Sequence, residues 1–194
     1  MRSSLTQTIL KLAGALAIVL GSFFITLKAL DYWAPTPPPS MPEPAYDAAA
    51  LPQLSPGKKL DFSNGQNRGA LLSGWSDAEP SGVWSDGHNA FIGFVVGNGA
   101  TASEAVLHAD VFLVPPTLRE QTVQIWSAGS KLAEYQLDTL HSDIKIPLRG
   151  IATKTGTPVV LGFQLPNAIS SHAVTGSADT RVIALSVQSL ELLP

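Results

Sequence analysis

Apolar and polar residues alternate in short runs from Gly57 to Pro194. In the run 107–113 the odd positions are aliphatic or alanine, whereas the even positions are His108, Asp110 and Phe112. A period of two predicts strands with one buried face, and the Gly, Pro, Asn and Ser residues between the runs predict turns. No amphipathic helix of ordinary length is predicted in this region. The other clear stripes are 144–148, 159–165 and 183–187.

Two local patterns refine this prediction. A hairpin is expected between 122–126 and 131–137, because Ala128-Gly129-Ser130 supplies a glycine that tolerates positive φ. The last run changes phase between Val187 and Leu190, which indicates a β-bulge. Eight or nine strands in about 138 residues favour an all-β fold, a two-sheet jelly-roll-like sandwich.

The N-terminal part follows a different pattern. The stretch from Leu12 to Leu27 carries no charge over sixteen residues, and Lys11 and Lys28 flank it. A membrane-spanning helix needs roughly 20 apolar residues, and lysines at its ends can reach the headgroups. We therefore expect a transmembrane anchor at 9–30 after a short cytoplasmic tail, residues 1–8.

Charge placement predicts the orientation of that anchor. Arg2 and Lys11 are the charged residues before Phe24, whereas all fifteen carboxylates lie at or beyond Asp31. The positive-inside rule then predicts a single-pass protein whose N-terminus stays in the cytoplasm and whose residues after Asp31 are exported. A cleaved signal peptide is the alternative, although 27–32 supplies only one small residue for a cleavage site.

The N-terminal part of the chain also contains a stripe of small residues and, after it, a proline-rich segment. Ala13, Ala17 and Gly21 recur every four residues, so another membrane helix could approach closely there, although such residues are common in any membrane span. The segment 35–56 holds eight prolines, which favour a polyproline II tether. The predicted domain order therefore continues with a Pro-rich linker at 31–56 and an exported sandwich at 57–194.

The densest block of unusual residues is 74–88, with two tryptophans, three acids and three glycines. Trp75 and Trp84 could stack on sugar rings while nearby polar groups bond hydroxyls, or the rings could fill the core. We expect a division of roles, with Trp84 at a strand start in the core and Trp75 after Gly74 on the ligand. The full set of glycan-contact candidates is Trp75, Asp77, Glu79, Trp84, Ser85, Asp86, His88, Asp179 and Arg181.

Asp179 and Arg181 would emerge on the same face of a strand. Arg181 could then form a bidentate bond with Glu79 or Asp86. As a structural pair, the two residues would fix the loop 166–180 against the tryptophan block. As a site, they would orient sugar hydroxyls.

The tryptophan block also carries a family resemblance. The pattern G-W-x-x-x-E-x-x-x-x-W-S-D-G at 74–87 resembles a small β-sandwich domain of uncharacterised function that occurs attached to bacterial envelope glycosyltransferases and phosphoglycerol transferases. The similarity extends over about 60–192 and departs at Val83, where that family frequently has arginine. It implies a glycan-linked, non-catalytic role and no catalytic residues. The C-terminal matches are Pro166, Ser170, Ser171, Ser177, Asp179 and Arg181.

Composition excludes several other functions. The formal charge is -3, and the part of the chain from Asp31 onward carries -6, which argues against nucleic-acid binding. The chain has no cysteine nucleophile and no G-x-S-x-G motif, and its four histidines are too widely spaced in the sequence for a recognisable metal site. We therefore expect no catalytic residues, cofactor or metal. Charge placement and the resemblance together predict a single-pass protein of the bacterial inner membrane whose C-terminal domain is periplasmic. The predicted function is a non-catalytic carbohydrate-binding or accessory subunit of envelope glycan assembly or export, bound to a membrane glycosyltransferase or polysaccharide export complex. The alternative is a protein-docking subunit without saccharide contact.

Overall fold

The computed structural model describes residues 40–97, 102–148, 151 and 154–193. The predicted anchor, the stripe of Ala13, Ala17 and Gly21 and the first part of the linker lie outside these ranges. Within the described ranges, no helix combines the length and the hydrophobicity needed to cross a membrane.

The described residues form fourteen strands and one short α-helix, α1 (Ser171–Thr175). Single 3-10 turns lie at Ala48–Ala50, Ser63–Gly65 and Arg68–Ala70. The strands are β1 (Gln53–Leu54), β2 (Lys59–Asp61), β3 (Leu71–Ser73), β4 (Trp75–Glu79), β5 (Gly82–Ser85), β6 (Asn89–Val96), β7 (Glu104–Val111), β8 (Gln121–Ser127), β9 (Ser130–Leu137), β10 (His141–Pro147), β11 (Pro158–Gln164), β12 (Ile169–Ser170), β13 (Val182–Ile183) and β14 (Leu185–Leu193).

These strands form two large sheets. The β6 sheet has the order β1-β6-β11-β8-β9, with β3 also paired to β6. The β14 sheet has the order β10-β7-β14-β5-β4, with β2 also paired to β14. The chain passes from one sheet to the other after β1, β2, β3, β5, β6, β7, β9 and β10, and β8–β9 is a hairpin within one sheet. The two-sheet, all-β sandwich that the sequence predicts is confirmed.

The core lies between the two sheets and follows the predicted alternation. Leu107 on β7 and Ile144 on β10 pair across the strands, and both side chains are buried. Phe94 and Phe163 contribute large buried rings from the β6 sheet. The outward positions of β7 and β10 are mostly polar, so the β14 sheet keeps one face toward solvent.

The predicted hairpin and the predicted bulge are both confirmed. The β8–β9 turn holds Ala128 at φ 48° and Gly129 at φ 73°. Two successive positive φ values are typical of the type I′ turn, which matches the twist of the strands it joins. In β14 the register shifts between Val187 and Ser189, which lets the strand change phase.

Residues 40–54, here called the strap, pack against the outer face of the β6 sheet. On that face Gly162 lies between Phe91 and Trp126 in register, and the Met41 sulphur would lie 2.9 Å from a Cβ added to Gly162. Leu51 covers Gly93 in the same way. The glycines thus form shallow sites for strap side chains.

Backbone bonds complete the docking of the strap. β1 pairs in parallel with β6, and Leu54 is 1% exposed. The amide N–H of Ala128 donates to Glu43 at 2.9 Å. The compact unit accordingly begins at Ser40 instead of the predicted boundary at Gly57, because apolar residues within the proline-rich segment find sites on the sheet.

Candidate functional site

The structure brings three polar side chains together around Arg181, and two of them belong to the block 74–88. The Arg181 guanidinium donates to Glu79 Oε1 at 3.2 Å, to Asp179 Oδ2 at 2.7 Å and to Ser76 Oγ at 3.1 Å. Asp179 also accepts the backbone N–H of Arg181 at 3.0 Å. Of the two predicted arrangements, the geometry matches the structural pair, since these contacts join β4 to the segment that precedes β13.

Charge pairing shifts the ionisation of this cluster. The side-chain hydrogen bond from Arg181, followed by its backbone N–H, lowers the pKa of Asp179 below its ordinary value. The bond to Asp179 in turn raises the pKa of Arg181. The three charged side chains are about one-third exposed, so solvent screens their attraction.

Three further candidates bind backbone groups. Ser85 Oγ is buried and accepts from the backbone N–H groups of Ala184 and Leu185, at 3.1 and 3.2 Å. Asp86 Oδ1 accepts from the N–H of Val182 at 3.3 Å, and His88 Nδ1 lies 3.1 Å from the carbonyl of Leu165. These contacts fix the loops around β13. Asp77 is exposed on β4.

The structure reverses the predicted placement of the two tryptophans. Trp75 packs against the core, makes an edge contact with Phe163 at 6.3 Å between ring centroids, and donates its indole N–H to the carbonyl of Phe91 at 2.8 Å. Trp75 pairs with Ser85, whose side chain faces inward, so the neighbouring Trp84 faces outward. The two rings exchange their predicted roles because of the register of β4 with β5, which the sequence of the block 74–88 alone does not reveal.

Trp84 belongs to a row of side chains that crosses the outer face of the β14 sheet. The register places His141 opposite Asp110, Asp110 opposite Ser186, and Ser186 opposite Trp84. Strands lie about 4.8 Å apart, so the row spans roughly 14 Å. The adjacent row on the same face contains Asp143, His108, Ser189 and Asp61.

Two grooves open along these rows. An apolar groove of about 270 Å³ is lined by Trp84, Asp110, Val111, Phe112, Leu113, Leu140 and His141. A polar groove of about 330 Å³ is lined by Lys59, His108, Ala109, His141, Ser142, Asp143, Gln188, Ser189 and Glu191. His141 lines both, so the two grooves are adjacent at that residue.

Hydrogen bonds hold the polar side chains of the grooves in place. His108 Nδ1 lies 2.6 Å from Asp143 Oδ1, and His141 Nδ1 lies 2.5 Å from Asp110 Oδ1. Each pair joins β7 to β10 across the outer face. A carboxylate has acceptor sites for several donors, so each Asp can bind its histidine and a ligand N–H or O–H together.

Backbone hydrogen bonds and a ring contact hold the wall of the apolar groove in place. Phe112 donates its backbone N–H to Ala184 at 2.8 Å, and its carbonyl accepts from the buried Gln121 amide at 3.0 Å. Its ring meets Trp84 edge-on, with centroids 6.3 Å apart and planes at 88°. The carbonyl of Leu140 accepts from Val111 at 2.8 Å, while the Leu140 side chain is 60% exposed.

Sequence reasoning missed most of this surface. The sequence feature that pointed to this surface was the set of outward-facing positions in the run 107–113, where His108, Asp110 and Phe112 alternate with inward-facing residues. Their partners on β10 come from a separate segment, and only strand register joins them. Within 40–97, 102–148, 151 and 154–193, no three His, Asp or Glu side chains are arranged to hold a metal ion.

No family model matches the chain, and no curated protein matches its sequence. Similar solved structures include a family 6 carbohydrate-binding module, 10% identical, covering 74% of this chain and 97% of that one, with a TM-score of 0.39. Another is a carbohydrate-binding module, CBM28, specific for non-crystalline cellulose, 8% identical, covering 78% and 100%, with a TM-score of 0.44.

An acetyl xylan esterase from the rumen bacterium Butyrivibrio proteoclasticus is also similar, at 12% identity and a TM-score of 0.45. The similarity covers 70% of this chain and 32% of the esterase, so the chain spans about a third of that enzyme. At these identities and TM-scores, no binding or catalytic property passes from these proteins to this chain.

Proposed function

We propose that the chain binds an oligosaccharide across the outer face of the β14 sheet. The observation that carries this proposal is the row His141, Asp110, Ser186 and Trp84, in which a buried serine separates the aromatic ring from the solvent-accessible His141–Asp110 pair. A sugar ring has an apolar C–H face and a polar rim of hydroxyls. Trp84 offers a surface for the first, and the His–Asp pairs offer hydrogen bonds for the second.

The dimensions and the charges of the surface agree with such a ligand. A row of roughly 14 Å has room for about three sugar units, because one unit is close in length to one strand spacing of about 4.8 Å. The residues that line the two grooves include one lysine, Lys59, and no arginine. They include three carboxylates, Asp110, Asp143 and Glu191. This balance disfavours phosphate-rich or uronic-acid chains.

The cellular context is part of the same proposal. The sandwich, connected as a jelly roll, is held at the bacterial inner membrane by residues 9–30 and works in the periplasm as a non-catalytic subunit of glycan assembly or export. Ala13, Ala17 and Gly21 form the contact with a membrane glycosyltransferase or export complex. The charge asymmetry around the apolar segment and the resemblance of 74–87 support this context.

A pair of tryptophan variants tests the binding site. We expect Trp84→Ala in the full-length chain to weaken binding of β-1,4-linked tetrasaccharides at least about tenfold, which corresponds to ~1.4 kcal/mol. Trp75→Ala is the matched control, and it should lower the melting temperature while retaining affinity, since its ring packs on the core. Isothermal titration calorimetry and thermal unfolding measure the two effects.

Two outcomes would overturn the proposal. One is that no glycan binds at millimolar concentration. The other is that both variants lose affinity only in proportion to their loss of folded protein. If a membrane protein then co-purified with the parent chain and was lost with Trp84→Ala, the protein-docking alternative would replace saccharide binding.

A further inference from the structure

The apolar groove is poorly suited to a sugar that presents only hydroxyls. Its walls are Trp84, Val111, Phe112, Leu113 and Leu140. Its polar groups are His141, which also lines the polar groove, and Asp110, which binds His141. A hydroxyl placed among the aliphatic and aromatic walls would lose its hydrogen bonds to water without replacement. A methyl group in the same place would instead gain from burial.

The polar groups beside the apolar walls indicate which functional group of the ligand should carry that methyl group. Asp110 holds His141 at 2.5 Å, and its side chain is 25% exposed. Its carboxylate therefore has acceptor capacity for a donor from the ligand. An amide N–H fits that position better than an ester, which has no donor.

From this arrangement we infer that the site selects an acetamido sugar, with the acetyl methyl in the apolar groove and the amide N–H donated to Asp110. This inference rests on the proposed saccharide binding and names its ligand class. The rest of the oligosaccharide lies along the polar groove, beside His108 and Asp143. Leu140, at 60% exposure, is then a specificity-determining side chain that the methyl covers.

Three tetrasaccharides with the same β-1,4 backbone test the inference, because they differ only at carbon 2. They are chitotetraose with acetamido groups, cellotetraose with hydroxyls, and the fully deacetylated glucosamine tetramer with ammonium groups. We expect the full-length chain to bind the acetamido form at least about tenfold more tightly than the hydroxyl form, which is the lower range for one methyl-sized group in an apolar pocket.

Variants connect that preference to the groove. Leu140→Ser should reduce the ratio of acetamido to hydroxyl affinity to less than about threefold. Tyr46→Ser is the matched control, because Tyr46 is the other exposed large apolar residue among those described and lies in the strap. It should leave the ratio unchanged.

The outcomes separate this inference from the proposed function. Equal affinity for the acetamido and hydroxyl forms overturns the inference while saccharide binding stands. Tightest binding of the ammonium form, lost at high salt, also overturns it and assigns selection to the carboxylates. A preference unaffected by Leu140→Ser places the acetyl group elsewhere and overturns the assignment. Failure of all three to bind contradicts the proposed function itself.

Discussion

Arg181 joins segments that are far apart in the sequence. Its guanidinium reaches Ser76 and Glu79 on β4 and returns to Asp179, two residues before it. Five hydrogen-bond donors in a planar fork allow one arginine to hold several acceptors, which a lysine could not do with the same geometry. The residue motif that suggested a ligand site therefore stabilises the loop before β13.

Substitution of Asp179 should make part of the acid sensitivity of the fold disappear. The pKa of Asp179 is lowered from 3.8 by Arg181, so its ion pair contributes stability that is complete above pH of about 3.8 and is lost as pH falls through the folded-state pKa. We expect Asp179→Asn to cost about 1 kcal/mol at pH 7 and less at pH 3, because the contribution of the ion pair begins to be lost below a pH of about 3.8. Thermal unfolding at both values measures this.

Asp143→Asn is the control for that experiment. Asp143 is 70% exposed and pairs with His108 on the outer face, away from Arg181. A gap between the parent chain and Asp179→Asn that stayed constant from pH 7 to pH 3 would contradict the ion-pair argument.

At the scale of the element, the strap is the feature that the sequence conceals. Eight prolines between 35 and 56 indicate a tether, yet Met41, Leu51 and Leu54 are buried. The sites of Met41 and Leu51 exist because Gly162 and Gly93 lack side chains on the outer face of the β6 sheet, whereas Leu54 joins the main core. A local pattern of residues cannot reveal a complementary surface that is so distant in the sequence.

Other elements were predictable because their determinants are local. Alternation over 144–148 and 159–165 identifies β10 and β11, and a glycine identifies the β8–β9 turn. The positive φ of Ala128 was not predictable, since alanine has no preference for that conformation and adopts it here within the turn. The grooves were not predictable either, because they depend on the register of β7 with β10 and β14.

Truncation tests the strap. A chain that begins at Ser40 should melt close to the full-length protein, whereas one that begins at Gly57 should lose at least about 3 kcal/mol, because it loses the burial of Met41, Leu51 and Leu54. The uncovered rings of Phe91 and Trp126 should also bind a hydrophobic dye. Equal melting temperatures for the two truncated chains would show that the strap contributes nothing to folding.

At the scale of the whole molecule, the sequence predicts a protein in two environments. An uncharged segment with basic flanks precedes a part of the chain that carries a formal charge of -6 from Asp31 onward. In the proposed periplasmic arrangement, negative charge repels the domain from an anionic membrane surface and keeps the proposed binding face accessible to a polymer in solution.

Protease treatment of spheroplasts tests this arrangement. Because the domain is expected outside the inner membrane, added protease should remove it while the segment 9–30 stays with the membrane fraction. A cytoplasmic protein expressed in the same cells is the control for intact membranes. Protection of the domain, or a mature N-terminus near Asp31, would contradict an uncleaved anchor.

The position of β14 has a consequence for how the protein is made. It follows the other thirteen described strands in the sequence, yet it lies between β7 and β5 and also pairs with β2. Until it is synthesised, no strand joins β5 to β7, so the two parts of the β14 sheet are not connected. Ribosome-arrested chains that stop before Leu185 should therefore remain protease-sensitive, and the domain should fold in a single step once β14 has emerged.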